Sequence, residues 1–319
     1  MAMNRTRVLN VVRIAVMVLI VAAVTAAVVR NWNEVSGSIH QIGLGALIGS
    51  LALALLSPLL TVLGWRVLMA DLGSRLHLAP ASGVFFVGQL GKYLPGSVWS
   101  VVVQADMARK LGVPRRRTAV VGLITIALSA LCGMIAGLPA LPALINRGQE
   151  VFPQWILVVV ILSLLVMLWP PLLNRAISFG LRLLRREPLE HELSARAVAL
   201  STMWFTASWL IGGSMVWVLA RGVAHPGVDE LHLAIVSVSG YLLAAGIGMF
   251  SVVTPAGVGV RDAVLVLLLT TSMSLAAAVA VVVVARFWTV VADIGWAAVG
   301  WLWGRAHHLL PDRKVSSHG

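Results

Sequence analysis

Long apolar runs, with short basic clusters at alternate connections, set the frame of this chain. Runs of about 20 or more apolar residues, the length that crosses a bilayer as a helix, cover 8–29, 42–69, 118–145, 154–179, 194–222, 231–252 and 275–304. Two further stretches, 82–104 and 255–273, are apolar but interrupted by proline, glycine and charge. The pattern predicts an all-α, polytopic membrane bundle of about eight spans in a single integral domain, 1–319. Half 1 covers about 8–145, with a re-entrant segment at 83–103. Half 2 covers about 154–304, with a broken segment at 253–273, and 305–319 forms a tail. Lipid-exposed backbone must be hydrogen-bonded internally, so irregular backbone at membrane depth survives only inside protein or beside a cavity. Breaks at corresponding places in two halves therefore point to a binding site.

The halves echo each other weakly. Ser82-Gly83 precedes Pro95 as Ser239-Gly240 precedes Pro255, and the prolines lead into Gly96-Ser97-Val98 and Ala256-Gly257-Val258.

Five groups hold 18 of the 24 lysines and arginines: Arg5 to Arg13, Arg66 and Arg75, Arg109 to Arg117, Arg175 to Arg196, and Arg305 to Lys314. Alternate connections carry only Arg30, Arg147 and Arg221. By the positive-inside rule the rich groups face the cytoplasm, which puts both termini there and implies a multi-pass protein of the cell membrane. Arg75 and Arg109 then lie on one side, so the stretch between them enters the membrane and returns. The second broken stretch either returns or crosses. The first run is too long for a signal-peptide core and lacks a small-x-small cleavage pattern, so it is expected to stay attached.

Composition agrees with this class and excludes others. The chain is 59% hydrophobic and 11% charged, against about 25% charged residues in soluble domains, and its mean hydropathy is +0.94. The net charge of +12 sits in blocks beside apolar runs, without the interleaved basic and aromatic surface of nucleic-acid binders. The single cysteine, Cys132, leaves no disulfide framework or thiolate metal site and reads as a small buried apolar residue.

The charges inside apolar surroundings carry the chemistry, because each costs about 2.5–3.5 kcal/mol or more at the bilayer centre and so faces a cavity or partner. They are Lys92, Asp106, Arg261, Asp262, Arg286 and Asp293. Arg286 and Asp293 are seven apart and share one helix face, either as part of a site or as a structural pair. Lys92 either joins the site or snorkels to the surface. Thr254-Pro255 reads as a helix start, with a capping threonine and proline at the first position. Its free N–H groups, with Arg261, would seat an anionic group such as a phosphate. Gly257 and Gly259 permit close approach of backbone or ligand.

Gly91-Lys92-Tyr93-Leu94-Pro95-Gly96-Ser97-Val98-Trp99, Arg109-Lys110-Leu111-Gly112-Val113, Pro255-Ala256-Gly257-Val258-Gly259-Val260-Arg261-Asp262-Ala263 and Arg286-Phe287-Trp288-Thr289 together resemble the transmembrane, flippase-like family of lysylphosphatidylglycerol synthases. The resemblance follows the family's order over nearly the whole chain. In the bacterial multiple peptide resistance factor this domain is fused to a soluble aminoacyl transferase and is associated with moving aminoacylated phosphatidylglycerol between leaflets. The 319 residues contain no such soluble segment, so the synthase activity in the family name is not expected. Asp262 and Ala256 stand where the family often has glutamate and glycine.

The expectation is a lipid flippase or transporter, not an enzyme and without cofactor or metal. It would move an anionic or aminoacylated phospholipid, or a polyprenyl-linked lipid, between leaflets. Membrane phospholipids are its expected partners, with an enzyme that makes the lipid and without nucleic acid. The headgroup would be held by Lys92, Tyr93, Pro95, Gly96, Thr254, Pro255, Gly257, Gly259, Arg261, Asp262, Arg286 and Asp293. Two other readings stay open. One is a membrane enzyme or subunit of lipid or glycan assembly, which would use Asp229 and Glu230 near His225 and His232. The other is an ion-coupled transporter of a small solute, which would titrate Asp262 or Asp293. No phosphate-binding loop, zinc pair or nucleophile elbow supports catalysis.

Overall fold

In the computed structural model, residues 32–93, 99–145, 153–183, 191–249 and 259–307 are described. They form helices α1 (Trp32–Ile42), α2 (Leu44–Asp71), α3 (Leu78–Gln89), α4 (Trp99–Lys110), α5 (Arg115–Gly137), α6 (Leu141–Ile145), α7 (Gln154–Met167), α8 (Pro170–Leu183), α9 (Ala195–Arg221), α10 (Glu230–Ala234), α11 (Gly240–Met249), α12 (Val260–Leu269) and α13 (Leu275–Ala306). A 3-10 turn, Leu90–Tyr93, extends α3, and a π turn, Ile235–Ser239, joins α10 to α11. The described residues contain no strand. The run at 8–29 and the residues Pro95, Gly96, Thr254, Pro255 and Gly257 lie outside them.

Among the described residues, five helical segments are long and apolar enough to cross a membrane: Leu44–Asp71, Arg115–Ile145, Ala195–Arg221, Glu230–Gly248 and Leu275–Ala306. A sixth is reached only if α7 and α8 count as one span, and these are bent 73° apart. The apolar run at 154–179 is thus divided into two helices. Pro170-Pro171 removes two backbone donors and drives the preceding residue away from helical geometry, which stops α7 at Met167. Elsewhere the ends follow local chemistry: Ser194 Oγ accepts from Ala197 N–H at the start of α9, and Ser274 Oγ from Ala277 N–H at the start of α13.

α3 and α4 fold back on each other. Gly88 faces Ser100 and Gln104, and Gly91 faces Trp99 and Ser100, so the arms run antiparallel. Each has 12 residues, about 18 Å at 1.5 Å per residue, which is short of a bilayer core of about 30 Å. The arms reach beyond the 83–103 of the sequence reading, to 78 and 110. α11 and α12 form a second antiparallel pair, with Gly240 against Leu265 and Leu268.

Each half thus contributes a long helix, a short hairpin and another long helix: α2, α3–α4, α5, then α9, α11–α12, α13. α5 and α13 begin 160 residues apart, the spacing of Pro95 and Pro255. The long helices α2 and α9 cross the middle antiparallel. Phe205 packs on Gly64, Ser57 and Ser208 exchange hydrogen bonds of 2.7–3.0 Å, and Ile42 meets Gly222. The flanking helices are exchanged between halves. α13 packs on α3, with Gly300 against Gly83 and the Phe86 and Trp296 rings stacked at 5.2 Å; α5 packs on α11, with Gly137 against Leu243 and Met134 against Gly246. The arrangement is that of two repeats running in opposite directions.

The basic groups collect at one end of this bundle. Arg66 donates to Leu76 O, Arg117 to Ser74 Oγ, and Asp71 accepts from both the N–H and hydroxyl of Ser194. The end of α2, the connection to α3 and the starts of α5 and α9 therefore meet.

Candidate functional site

The second hairpin brings its first helix, its second helix and α13 around one cavity. Tyr241 of α11, Arg261, Asp262 and Leu265 of α12, and Val282, Ala285, Arg286 and Thr289 of α13 line a space of about 210 Å3. That space includes open solvent, so these residues form a half-open polar recess.

α12 starts at Gly259, whose φ of 90° requires glycine. Asp262, at the third helical position, turns back so that its Oδ2 accepts the Gly259 N–H at 3.1 Å. This occupies one carboxylate oxygen in the fold and fixes Arg261 beside it. The Arg261 guanidinium lies over the Tyr241 ring, 4.3 Å from its centroid. Such stacking holds the cation by its face and leaves its N–H edge free for a bidentate anion. Arg286 enters from α13, and Thr289, three residues on, donates its hydroxyl to Ala285 O and keeps its lone pairs. Among the described residues neither Arg261 nor Arg286 has an ion-pair partner.

Asp293 is also on the Arg286 face of α13, about 10 Å further along at 1.5 Å per residue, and is 7% exposed. Its partners come from the tip of the first hairpin. Lys92 Nζ lies 2.8 Å from Oδ1 and 2.7 Å from Oδ2, and the Tyr93 hydroxyl donates to Oδ2 at 2.5 Å. Asp293 therefore pairs with Lys92 across the two halves and not with Arg286, and Lys92 does not snorkel. Arg286 and Asp293 stand two turns apart on one face of α13, so the recess and the Lys92–Asp293 pair share the polar face of that helix.

Of the expected site residues within the described chain, Arg261, Asp262 and Arg286 converge on the cavity. Gly259 starts the helix that carries the first two. Lys92, Tyr93 and Asp293 form the adjoining ion pair. Tyr241 and Thr289 escaped the sequence reading. Tyr241 is one of only two tyrosines, in an apolar run one residue after the repeated Ser239-Gly240, and that isolation was the available signal. Asp106 pairs with Arg115 at 2.7 Å, away from the cavity.

The acidic connection before α11 has local work. Asp229 Oδ2 caps α10 by accepting the His232 N–H at 2.8 Å, and Glu230 pairs with Arg221 at 3.0 Å.

No curated protein matches the chain. The family described as lysylphosphatidylglycerol synthase TM region matches residues 10–296, which takes in both hairpins and the polar face of α13. The apolar helices and this match make the protein a multi-pass membrane protein related to lipid handling. With nearly its whole length inside the match, the chain belongs to the lysylphosphatidylglycerol synthase transmembrane-region family.

Proposed function

We propose that this protein moves an anionic or aminoacylated phospholipid, or a polyprenyl-linked lipid, between leaflets of the cell membrane, without catalysing a covalent step. One observation carries the reading: two guanidinium groups without ion-pair partners among the described residues line one polar recess between apolar helices. A cation so placed costs about 2.5–3.5 kcal/mol at the bilayer centre, a cost that a bound phosphate offsets. Arg261 and Arg286 take the phosphate, Tyr241 orients Arg261, and the second oxygen of Asp262 accepts from a hydroxyl or amino group of the head. The acyl chains stay in lipid. Lys92, Tyr93 and Asp293 fix the first hairpin against α13. The basic end and both termini face the cytoplasm, where an enzyme that makes the lipid would deliver it.

Repeats of opposite direction supply a mechanism. Exchanging the packing of the two hairpins opens the cavity to one leaflet and then to the other. The buried Asp293, held by both Lys92 and Tyr93, favours a second reading, ion-coupled transport of a small solute with this carboxylate in the coupling site.

The test is leaflet exchange of headgroup-labelled anionic and zwitterionic lipids in liposomes holding the purified protein. Wild type should exchange anionic lipid, and Arg261→Ala and Arg286→Ala should each lose at least tenfold in rate while keeping the wild-type melting temperature. Exchange unchanged in both variants removes the site. Absence of exchange, with solute uptake driven by a proton gradient, selects the second reading.

A further inference from the structure

α8 is the element that the lipid-handling site does not use. It packs on the basic end of the bundle through Leu173 and Ile177, against a core that includes Leu72, Val113 and Leu193, and Leu181 on the same helix is buried as well. Asn174, 5% exposed, locks it there: its Nδ2 donates to Leu193 O and its Oδ1 accepts the Leu193 N–H, both at 3.0 Å. The opposite face is uncovered. Phe179 is 70% and Leu183 75% exposed, and Arg175 and Arg182, also exposed, bracket Phe179 at helical spacings of four and three residues. The helix contains no acidic residue, and neither arginine has an ion-pair partner among the described residues.

We infer that α8 lies in the headgroup layer at the basic end of the protein and binds an anionic phospholipid surface, with Phe179 and Leu183 at the acyl boundary and Arg175 and Arg182 on phosphates. Two observations fix the occupant. The first is direction. α7 carries no charge, exposes Trp155, Val158, Leu162 and Val166, and so stands in the acyl layer. A helix bent 73° from it runs close to the membrane plane. The second is the composition of the open face. Water alone leaves two large apolar side chains unburied, and the acyl core leaves two guanidinium groups unsolvated. Only the boundary between them satisfies both, as in amphipathic interfacial helices with basic flanks. Anionic headgroups match the unpaired positive charge. This placement concerns a surface remote from the cavity and holds whichever lipid is transported.

The test is a nitroxide label at Phe179→Cys in the full-length protein, in vesicles of phosphatidylcholine with and without phosphatidylglycerol. A second label at Val159→Cys on α7 serves as the depth reference. Wild type, whose only cysteine is the buried Cys132, gives the labelling background. Relaxation by oxygen against that by an aqueous nickel chelate reports depth. The expected result is a label about 5–10 Å into the headgroup and acyl boundary at Phe179, and deeper at Val159. Phosphatidylglycerol should lower chelate access at Phe179, and R175Q/R182Q should abolish that difference. A Phe179 label as deep as the Val159 label makes α8 part of a span and overturns the inference. Full chelate access does the same by placing it in water, and indifference to phosphatidylglycerol overturns the choice of an anionic surface.

Discussion

Asp293 carries the ion pair that joins the two halves among the described residues. Its carboxylate is nearly sealed from solvent, and Lys92 is its only ion-pair partner among the described residues. Removing one partner of a buried pair strands a charge and typically costs 3–5 kcal/mol. Lys92 is 34% exposed and Tyr93 still donates to Asp293, so Lys92→Met should cost less, about 2 kcal/mol. The double variant Lys92→Met/Asp293→Asn should recover at least half of that loss in thermal unfolding. A double variant as unstable as the sum of the singles would show that the pair has no coupling energy. The sequence exposed Asp293 as a charge in an apolar run and placed it on the Arg286 face. It could not supply the partner, because Lys92 lies 201 residues away and helical periodicity reports only neighbours along one helix.

The first hairpin shows what local pattern can specify. Two basic clusters on the same side, with an apolar but broken stretch between them, require a chain that goes in and comes back, and the antiparallel arms of α3 and α4 have that form. The register of the arms was not readable. It rests on close approach at Gly88 and Gly91, where a methyl group on Gly91 would lie 2.4 Å from Ser100 N and 2.7 Å from its Cα. Gly91→Ala forces backbone against backbone, and overpacking of this kind costs about 1–3 kcal/mol. We expect a lower melting temperature together with faster proteolysis confined to residues 78–110, whereas an unchanged melting temperature would mean that the arms separate freely. The break between α7 and α8 was missed for a related reason: hydropathy continues through Trp169-Pro170-Pro171, and only the backbone chemistry of the proline pair marks the bend.

In the whole molecule the two repeats share an arrangement but differ in chemistry and in closure. At the 160-residue spacing, Val101 and Gly122 occupy the places of Arg261 and Val282, both cavity-lining, and Ile126 that of Arg286. The first half has no cavity at this point, because a methyl on Gly122 would sit 3.0 Å from Val101 Cγ2 and 3.5 Å from its Cβ. That last distance falls in the ~3.5–4.5 Å range between the Cβ atoms of a disulfide. In the exchange mechanism α4 and α5 part when α12 and α13 close. Oxidising a Val101→Cys/Gly122→Cys variant should therefore stop lipid exchange and reduction should restore it. Exchange at the wild-type rate in the oxidised protein would show that this contact never opens.

That inequality between halves also makes the cycle an electrical event. The lining of the cavity carries two guanidinium groups against the carboxylate of Asp262, with nothing comparable at the matching place in the first half, while Lys92 and Asp293 cancel. An empty site shifting its access across the bilayer moves about one net positive charge through the field, worth about 2.3 kcal/mol per 100 mV for a full crossing. A site holding a singly charged phosphodiester moves none. Membrane potential should then alter the rate of the empty return and leave the loaded step untouched, so a voltage clamped across the vesicle wall would set the direction in which lipid accumulates.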